Sequence, residues 1–313
     1  MRKLILSILL FFSLLSFSQE PIYNINEYNL HLLNYADYKY DTFYVSLDNT
    51  YEFYSNNKQF NSTDLNLNFD FKNKFQAGIN AEYNYLGKDN NIANFDAILK
   101  YKYKFNNEIN VIVAGNIGFV NSNIDYLTLR PRYSFFESTT INNTSFTKQN
   151  LNLGMGITFN HSQIMKVGLY LNHLNTPTLP FNKDRIPIKY TAFIRSRFGE
   201  FSSLLIYSYQ DAFLYNPMDL DYYFKMLNYL GLNLNYQFYY PDINIGLGYK
   251  YLFDDKGIYS ISASYGFNKG GQAMNIFYSF SLLQAESNNK ALFHQFGIYF
   301  YLAKPVYRLS GLL

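Results

Sequence analysis

Apolar and polar residues alternate with a period of two over segment after segment of this chain. In Leu65-Asn66-Leu67-Asn68-Phe69-Asp70-Phe71-Lys72 every odd position is apolar and every even one polar or charged. A β-strand sends successive side chains to opposite faces, so such a segment has one oily face and one wet face. Phe75, Ala77, Ile79, Ala81 and Tyr83 alternate in the same way with Gln76, Gly78, Asn80, Glu82 and Asn84. Leu151, Leu153, Met155, Ile157 and Phe159 alternate with Asn152, Gly154, Gly156, Thr158 and Asn160, and Leu230, Leu232, Leu234, Tyr236 and Phe238 with Gly231, Asn233, Asn235, Gln237 and Tyr239. A soluble amphipathic strand accounts for one such segment; the series predicts a wall with lipid on one side and a polar lumen on the other.

About fourteen segments of membrane-strand length follow one another, beginning near Thr42, Asn61, Phe75, Ile92, Ile109, Gln149, Ile164, Pro187, Phe201, Asn228, Ile243, Gly257, Ala273 and Leu292. An even count suits a closed single-chain barrel, so the expected fold is all-β: a transmembrane antiparallel up-and-down barrel over residues 42–302. Lipid-facing positions are expected at Leu65, Leu67, Phe69, Ile79, Leu151, Leu153, Ile157, Leu230, Leu232 and Leu234. Lumen-facing positions are expected at Asn66, Asn68, Asn80, Glu82, Asn152, Asn233 and Asn235. Leu220 to Leu230 comes nearest to helical periodicity and reads at most as a short turn within a loop.

The connections alternate in length. Even-numbered links are tight, among them Asn73-Lys74, Asn106-Asn107-Glu108, His161-Ser162-Gln163, Gly199-Glu200 and Tyr240-Pro241-Asp242. Long links, Asn121 to Lys148, His173 to Ile186 and Asp211 to Leu227, fall only on odd ones. With a periplasmic N-terminus, odd parity places these loops outside the cell, where they are candidates for partner contact.

Composition sharpens the address. Arg2 and Lys3, the apolar run Leu4 to Phe17 and small residues at Ser16-Phe17-Ser18 read as a signal peptide over residues 1–18. The chain contains no cysteine, which excludes a lipid-modified junction, disulfides and thiolate metal sites. Removal of Arg2 and Lys3 takes the formal charge from +3 to about +1, too little for a phosphate backbone, so no nucleic-acid partner is expected. Tyr 33, Phe 30 and Trp 0 leave tyrosine to supply the aromatic girdles of a membrane barrel. Residues 19–41 carry Tyr23, Ile25, Tyr28, Leu30, Leu32, Leu33 and Tyr35 among Asn and Glu without a strong strand. They read as a segment at the periplasmic mouth or as a plug, and residues 303–313 as a tail.

Chemistry-bearing residues are sparse. His31, His161, His173 and His294 form no nucleophile motif and read as structural or interfacial. Asp254-Asp255 and Asp219 with Asp221 lack the ligand count of a calcium loop and read as solvated charge. Arg185, Arg195 and Arg197 with Lys183 and Lys189 form the strongest basic cluster, and Arg195 and Arg197 share a strand face. Gly154-Met155-Gly156 and Gly246-Leu247-Gly248 precede no helix, so they are spaces for lumen packing rather than phosphate loops. No catalytic, metal or cofactor site is expected, and no small-molecule substrate.

Gln19-Glu20-Pro21-Ile22-Tyr23, the Asn- and Tyr-rich stretch Asn29 to Ala36 and the late pattern Ile261 to Leu302 resemble the PorP/SprF family of Bacteroidota outer-membrane proteins. The Tyr- and Phe-rich strand Asn275 to Leu283, the loop Ser287-Asn288-Asn289 and the closing strand opening at His294 carry the likeness furthest. Asn34-Tyr35-Ala36-Asp37 stands where the family has an Asn-Pro-Ala-Tyr-Ala-Gly-like stretch. The resemblance implies an outer-membrane component of the type IX secretion and gliding machinery, with that machinery's components and a secreted adhesin as partners and outer-membrane lipid as surroundings. A passive diffusion channel is the alternative that a polar lumen equally permits.

Overall fold

The computed structural model of the protein describes Ala36 and residues 43–54, 59–71, 74–85, 91–125, 145–162, 164–177, 188–210, 228–239, 242–252, 256–269, 272–284 and 291–302. Every regular element among them is a strand. In chain order these are β1 (Phe43–Tyr54), β2 (Gln59–Phe71), β3 (Phe75–Tyr85), β4 (Asn91–Lys104), β5 (Ile109–Asp125), β6 (Ser145–His161) and β7 (Met165–Asn172). They continue as β8 (Lys189–Phe198), β9 (Phe201–Gln210), β10 (Tyr229–Tyr239), β11 (Asp242–Leu252), β12 (Lys256–Lys269), β13 (Gln272–Gln284) and β14 (Ala291–Leu302). Each strand pairs antiparallel with its chain neighbours, and β1 pairs with β14, closing a fourteen-stranded barrel. Closure leaves no unpaired edge, the condition a sheet must meet to cross hydrocarbon.

Tight links form where the local chemistry favours them. At the β4–β5 turn the Asn106 side chain accepts the backbone N–H groups of Glu108 (2.9 Å) and Ile109 (2.6 Å), an Asx-type turn. Gly199, with φ 61°, makes the two-residue β8–β9 link, a conformation that costs glycine little. The long links are β5–β6, β7–β8 and β9–β10, all at the rim opposite the tight turns.

Strand starts agree with the periodicity to within a few residues. The largest difference is β6, which begins at Ser145 rather than near Gln149; β5 and β6 pair up to Asp125 opposite Ser145. Hydropathy is silent there because the extension is polar. It is held by ladder pairing and by side chains such as Thr147, whose hydroxyl donates to Asn123 at 3.1 Å. The 303–313 tail, Asp219, Asp221, Asp254, Asp255, Lys183, Arg185, His31 and all but the last residues of the Leu220–Leu230 segment lie outside the described residues.

The packed core lies within the barrel. Tyr44, Phe277 and Tyr299 form one fully buried inward cluster, and Ala36 packs with Ile112 and Ala114 in another.

Candidate functional site: the lumen wall and outer belt

Alternation along each strand fixes which way a residue faces. Asn66, Asn68, Asn80, Asn152, Asn233 and Asn235 point inward and are buried; Glu82 shares that face and is partly buried. Phe69, Ile79, Leu151, Ile157, Leu230, Leu232 and Leu234 point outward and are exposed, while Leu65, Leu67 and Leu153 lie on the same outer face, partly covered by neighbours.

The inward amides form a connected polar network. Asn66 donates to Asn80 at 3.0 Å and Asn80 to Asp64 at 2.9 Å, while Asn68 donates to Asn66. Ser62 donates to Asn84 at 2.8 Å, and Asn84 and Asn94 donate to the two Glu82 oxygens at 2.9 and 3.0 Å. Asn116 donates to Asp96 Oδ1 at 2.9 Å and accepts from the Tyr170 hydroxyl at 3.0 Å. Asn152 bridges Asp96 (3.4 Å), Asn172 (3.2 Å) and the His173 ring (2.9 Å). Across the β1–β14 closure the Tyr299 hydroxyl donates to Asp48 at 2.5 Å, joined by Gln295 at 3.3 Å. Buried polar groups of this kind are tolerated when they bond one another.

Glycine makes room for these side chains to lie flat on the wall. A Cβ on Gly154 would collide with Asn116, come within 2.7 Å of the Tyr170 hydroxyl and within 3.0 Å of the Leu171 carbonyl. At Gly246 it would strike Asn235 and Ser262, and at Gly248 Asn233 and Ser260.

Charge is segregated. Asp48, Asp64, Glu82 and Asp96 face inward on β1–β4 at mid-height. Lys100, Lys102, Lys166, Arg195 and Arg197 face inward nearer the tight-turn rim on β4, β7 and β8. Arg197 donates to Gln237 at 2.9 Å, and Gln237 donates to Asp242 at 3.0 Å.

Each described histidine has a defined neighbour. His161 faces Glu108 at 3.9 Å in the β4–β5 and β6–β7 turn region. His173 is buried against Asn152. His294 points outward among Phe53 and Phe280, its Nδ1 2.8 Å from the Tyr278 hydroxyl.

Two features escape simple alternation. Asn49 and Asn61 lie on the outer face, yet are only 4% and 6% exposed. Asn49 donates through its amide nitrogen to Asn61 (3.2 Å) and Thr63 (2.7 Å), while its own Oδ1 is buried and accepts no hydrogen bond among the described residues. Their placement was readable from parity with Asp48 and Ser62; their pairing was not. The second is an apolar inward set, including Ile98, Phe193, Leu204 and Ile206, all buried. Parity again carried the signal, since Phe193 shares the face of Arg195 and Arg197.

A closed antiparallel barrel with an apolar exterior and a hydrogen-bonded polar interior defines an outer-membrane β-barrel protein. The chain resembles the CymD monoaromatic hydrocarbon channel (TM-score 0.54, 13% identity, covering 90% of this chain and 94% of that one). It also resembles the toluene transporter TodX of P. putida (TM-score 0.50, 11% identity, 83% and 88%) and a TodX deltaS2S3 mutant (TM-score 0.54, 11% identity, 86% and 91%). At such identities the likeness is one of fold. No curated protein matches the sequence. Residues 87–300 match the type IX secretion system membrane protein PorP/SprF, and the chain belongs to that family. It is therefore a type IX secretion system membrane protein, built as a barrel of the outer membrane.

Proposed function

We propose that this barrel supports the export or surface anchoring of an adhesin through protein–protein contacts, acting as a docking platform for other type IX components. The observation that carries the reading is the lumen itself. Its inward amides and carboxylates are buried and bonded to one another, an arrangement suited to rigidity more than to passage. The outer belt, Leu65, Leu67, Phe69, Ile79, Leu151, Leu153, Ile157, Leu230, Leu232 and Leu234, meets lipid acyl chains. The long β5–β6, β7–β8 and β9–β10 links join six consecutive strands of the barrel and are the candidate contact segments.

Deletion of the gene is expected to abolish surface display of one cognate adhesin while other exported proteins remain displayed. Surface proteomics of the deletion strain measures this. Unchanged display of every surface protein, with adhesion and gliding intact, overturns the reading.

A further inference from the structure

Every strand of the closed wall has a neighbour on each side, but the ladder of β6 is taller on one side than on the other. β6 pairs with β5 along its whole length, from Ser145 opposite Asp125 to His161 opposite Ile109. Its pairing with β7 runs only from His161 up to Met155, opposite Leu171. β7 ends at Asn172, and the residues after it turn the chain off the ladder: His173 has φ 59° and Thr176 φ 45°, left-handed conformations that residues with side chains seldom adopt. One further rung is made without a strand. The Leu174 N–H donates to the Leu153 carbonyl at 2.9 Å, the Leu153 N–H to the Asn175 side-chain oxygen at 3.0 Å, and the Asn175 amide to the Leu151 carbonyl at 2.6 Å.

Main-chain groups alternate sides along an antiparallel strand, so Thr147 and Gln149 aim their N–H and C=O groups to the same side as Leu151 and Leu153. Among the described residues these groups of Thr147 and Gln149, and the Leu151 N–H, meet no neighbouring strand. The side chains of Thr147 and Gln149 are exposed. Phe119 and Leu151, directly opposed, form the uppermost exposed apolar pair of the outer face on β5 and β6; beyond them come Asn121 opposite Gln149 and Asn123 opposite Thr147. The open edge therefore stands in water above the acyl chains, where an unpaired edge is permitted and is a template for another strand. A second copy of this barrel does not fit it. Two copies in one membrane are related by rotation about its normal, and with each strand tilted about 35–45° the two edges cross steeply instead of aligning.

We propose that the upper edge of β6 is a strand-addition site, at which an extended, uncharged polar segment of a partner protein pairs main chain to main chain with Thr147, Gln149 and Leu151. Strand addition draws its affinity from main-chain hydrogen bonds and its selectivity from the side chains beside them. The outer-face side chains at this edge, Thr147 and Gln149 with Asn121 and Asn123 across from them, are neutral and hydrogen-bonding. A segment rich in Ser, Thr and Asn matches them, and a charged one gains no counter-ion there. Leu174 and Asn175 already occupy the lowest rung and so set where the added strand begins. The proposal rests on the docking reading above and adds to it the place and the mode of contact.

Amide hydrogen exchange, read by mass spectrometry with fragmentation, reports on the edge directly. In the full-length barrel stripped of other proteins, the amides of Thr147, Gln149 and Leu151 are expected to exchange fast, while those of Lys148 and Asn150, turned toward β5, stay protected. In the complex isolated intact from native outer membranes through a tag on the barrel, the three edge amides should slow by about tenfold or more. Protection already present in the barrel alone means that the chain covers its own edge, and overturns the proposal. Unchanged exchange in a complex that still carries partner proteins overturns it too, and leaves the docking reading standing. A barrel that no protein accompanies overturns both. Gln149→Pro removes one edge donor and sets a ring in the partner's path while leaving the β5 ladder whole. It is expected to cut co-purification about five- to tenfold in a barrel still folded by heat-modifiable mobility, whereas Gln149→Ala, which keeps the main chain, should leave it within about twofold. Equal recovery with the two variants refutes main-chain pairing. Should the proline variant not fold, the exchange measurement on the wild type decides alone.

Discussion

Asp48 stands directly opposite Asp64, and Asp64 opposite Glu82, so three neighbouring strands present carboxylates in one inward row. Opposed like charges destabilise a sheet unless their charge is spread. Here Tyr299, Gln295, Asn80, Asn84 and Asn94 donate to the row. This explains why asparagine dominates the wet face: one amide both donates and accepts, so a single residue type links acid to amide to hydroxyl. Asn116 is the clearest test. Asn116→Leu removes a donor from Asp96 and an acceptor from Tyr170, and should cost about 1–3 kcal/mol in urea unfolding of the vesicle-folded barrel. The glycines give a matched pair. Gly154→Val drives a side chain into Tyr170 and should cost about 1–3 kcal/mol in the same assay. Gly115→Val points outward, where the nearest other atom lies 4.0 Å from an added Cβ, and should be nearly neutral.

At the scale of the strand, alternation sets direction and pairing sets depth. On β10, Leu232 and Leu234 face outward while Asn233 and Asn235 face the lumen. Leu232→Arg, placed against acyl chains, should therefore destabilise the barrel by about 2–4 kcal/mol, measured by the same urea titration. Strand direction was legible because a period of two survives in the sequence regardless of neighbours. Strand ends were less so. The upper reaches of β5 and β6 carry Asn121, Asn123 and Thr147, and only cross-strand pairing extends the ladder there. The outer pair Asn49 and Asn61 makes the same point: each looks costly beside lipid until the other is brought alongside. Replacing residues 126–144 with a short turn should leave the barrel folded by heat-modifiable mobility, since β5 and β6 are paired below. Under the proposed function it should reduce adhesin display, read by flow cytometry of intact cells.

For the whole molecule, closure decides what the lumen is. A polar inner face by itself is compatible with a water-filled channel or with a solid interior. Phe193, Leu204 and Ile206 lie on the same inner face of the wall as the amides and are buried. The similar channels share the fold at low identity, so what fills the interior, not the number of strands, distinguishes scaffold from passage. Family membership places the chain in type IX secretion, and the long links, which join the six consecutive strands β5 to β10, give the partner search a direction.

The sequence alone determined the two-faced strands, their approximate number, the alternation of tight and long links and the family resemblance. These are properties of local periodicity and turn chemistry, written one residue at a time. Only the tertiary structure decided that β1 meets β14, that Asp96 shares Asn116 and Asn152, and that Ala36 rests on Ile112 and Ala114. Those facts join residues tens to hundreds of positions apart. Their partners are fixed by the curvature of a closed sheet, which no short stretch of chain encodes.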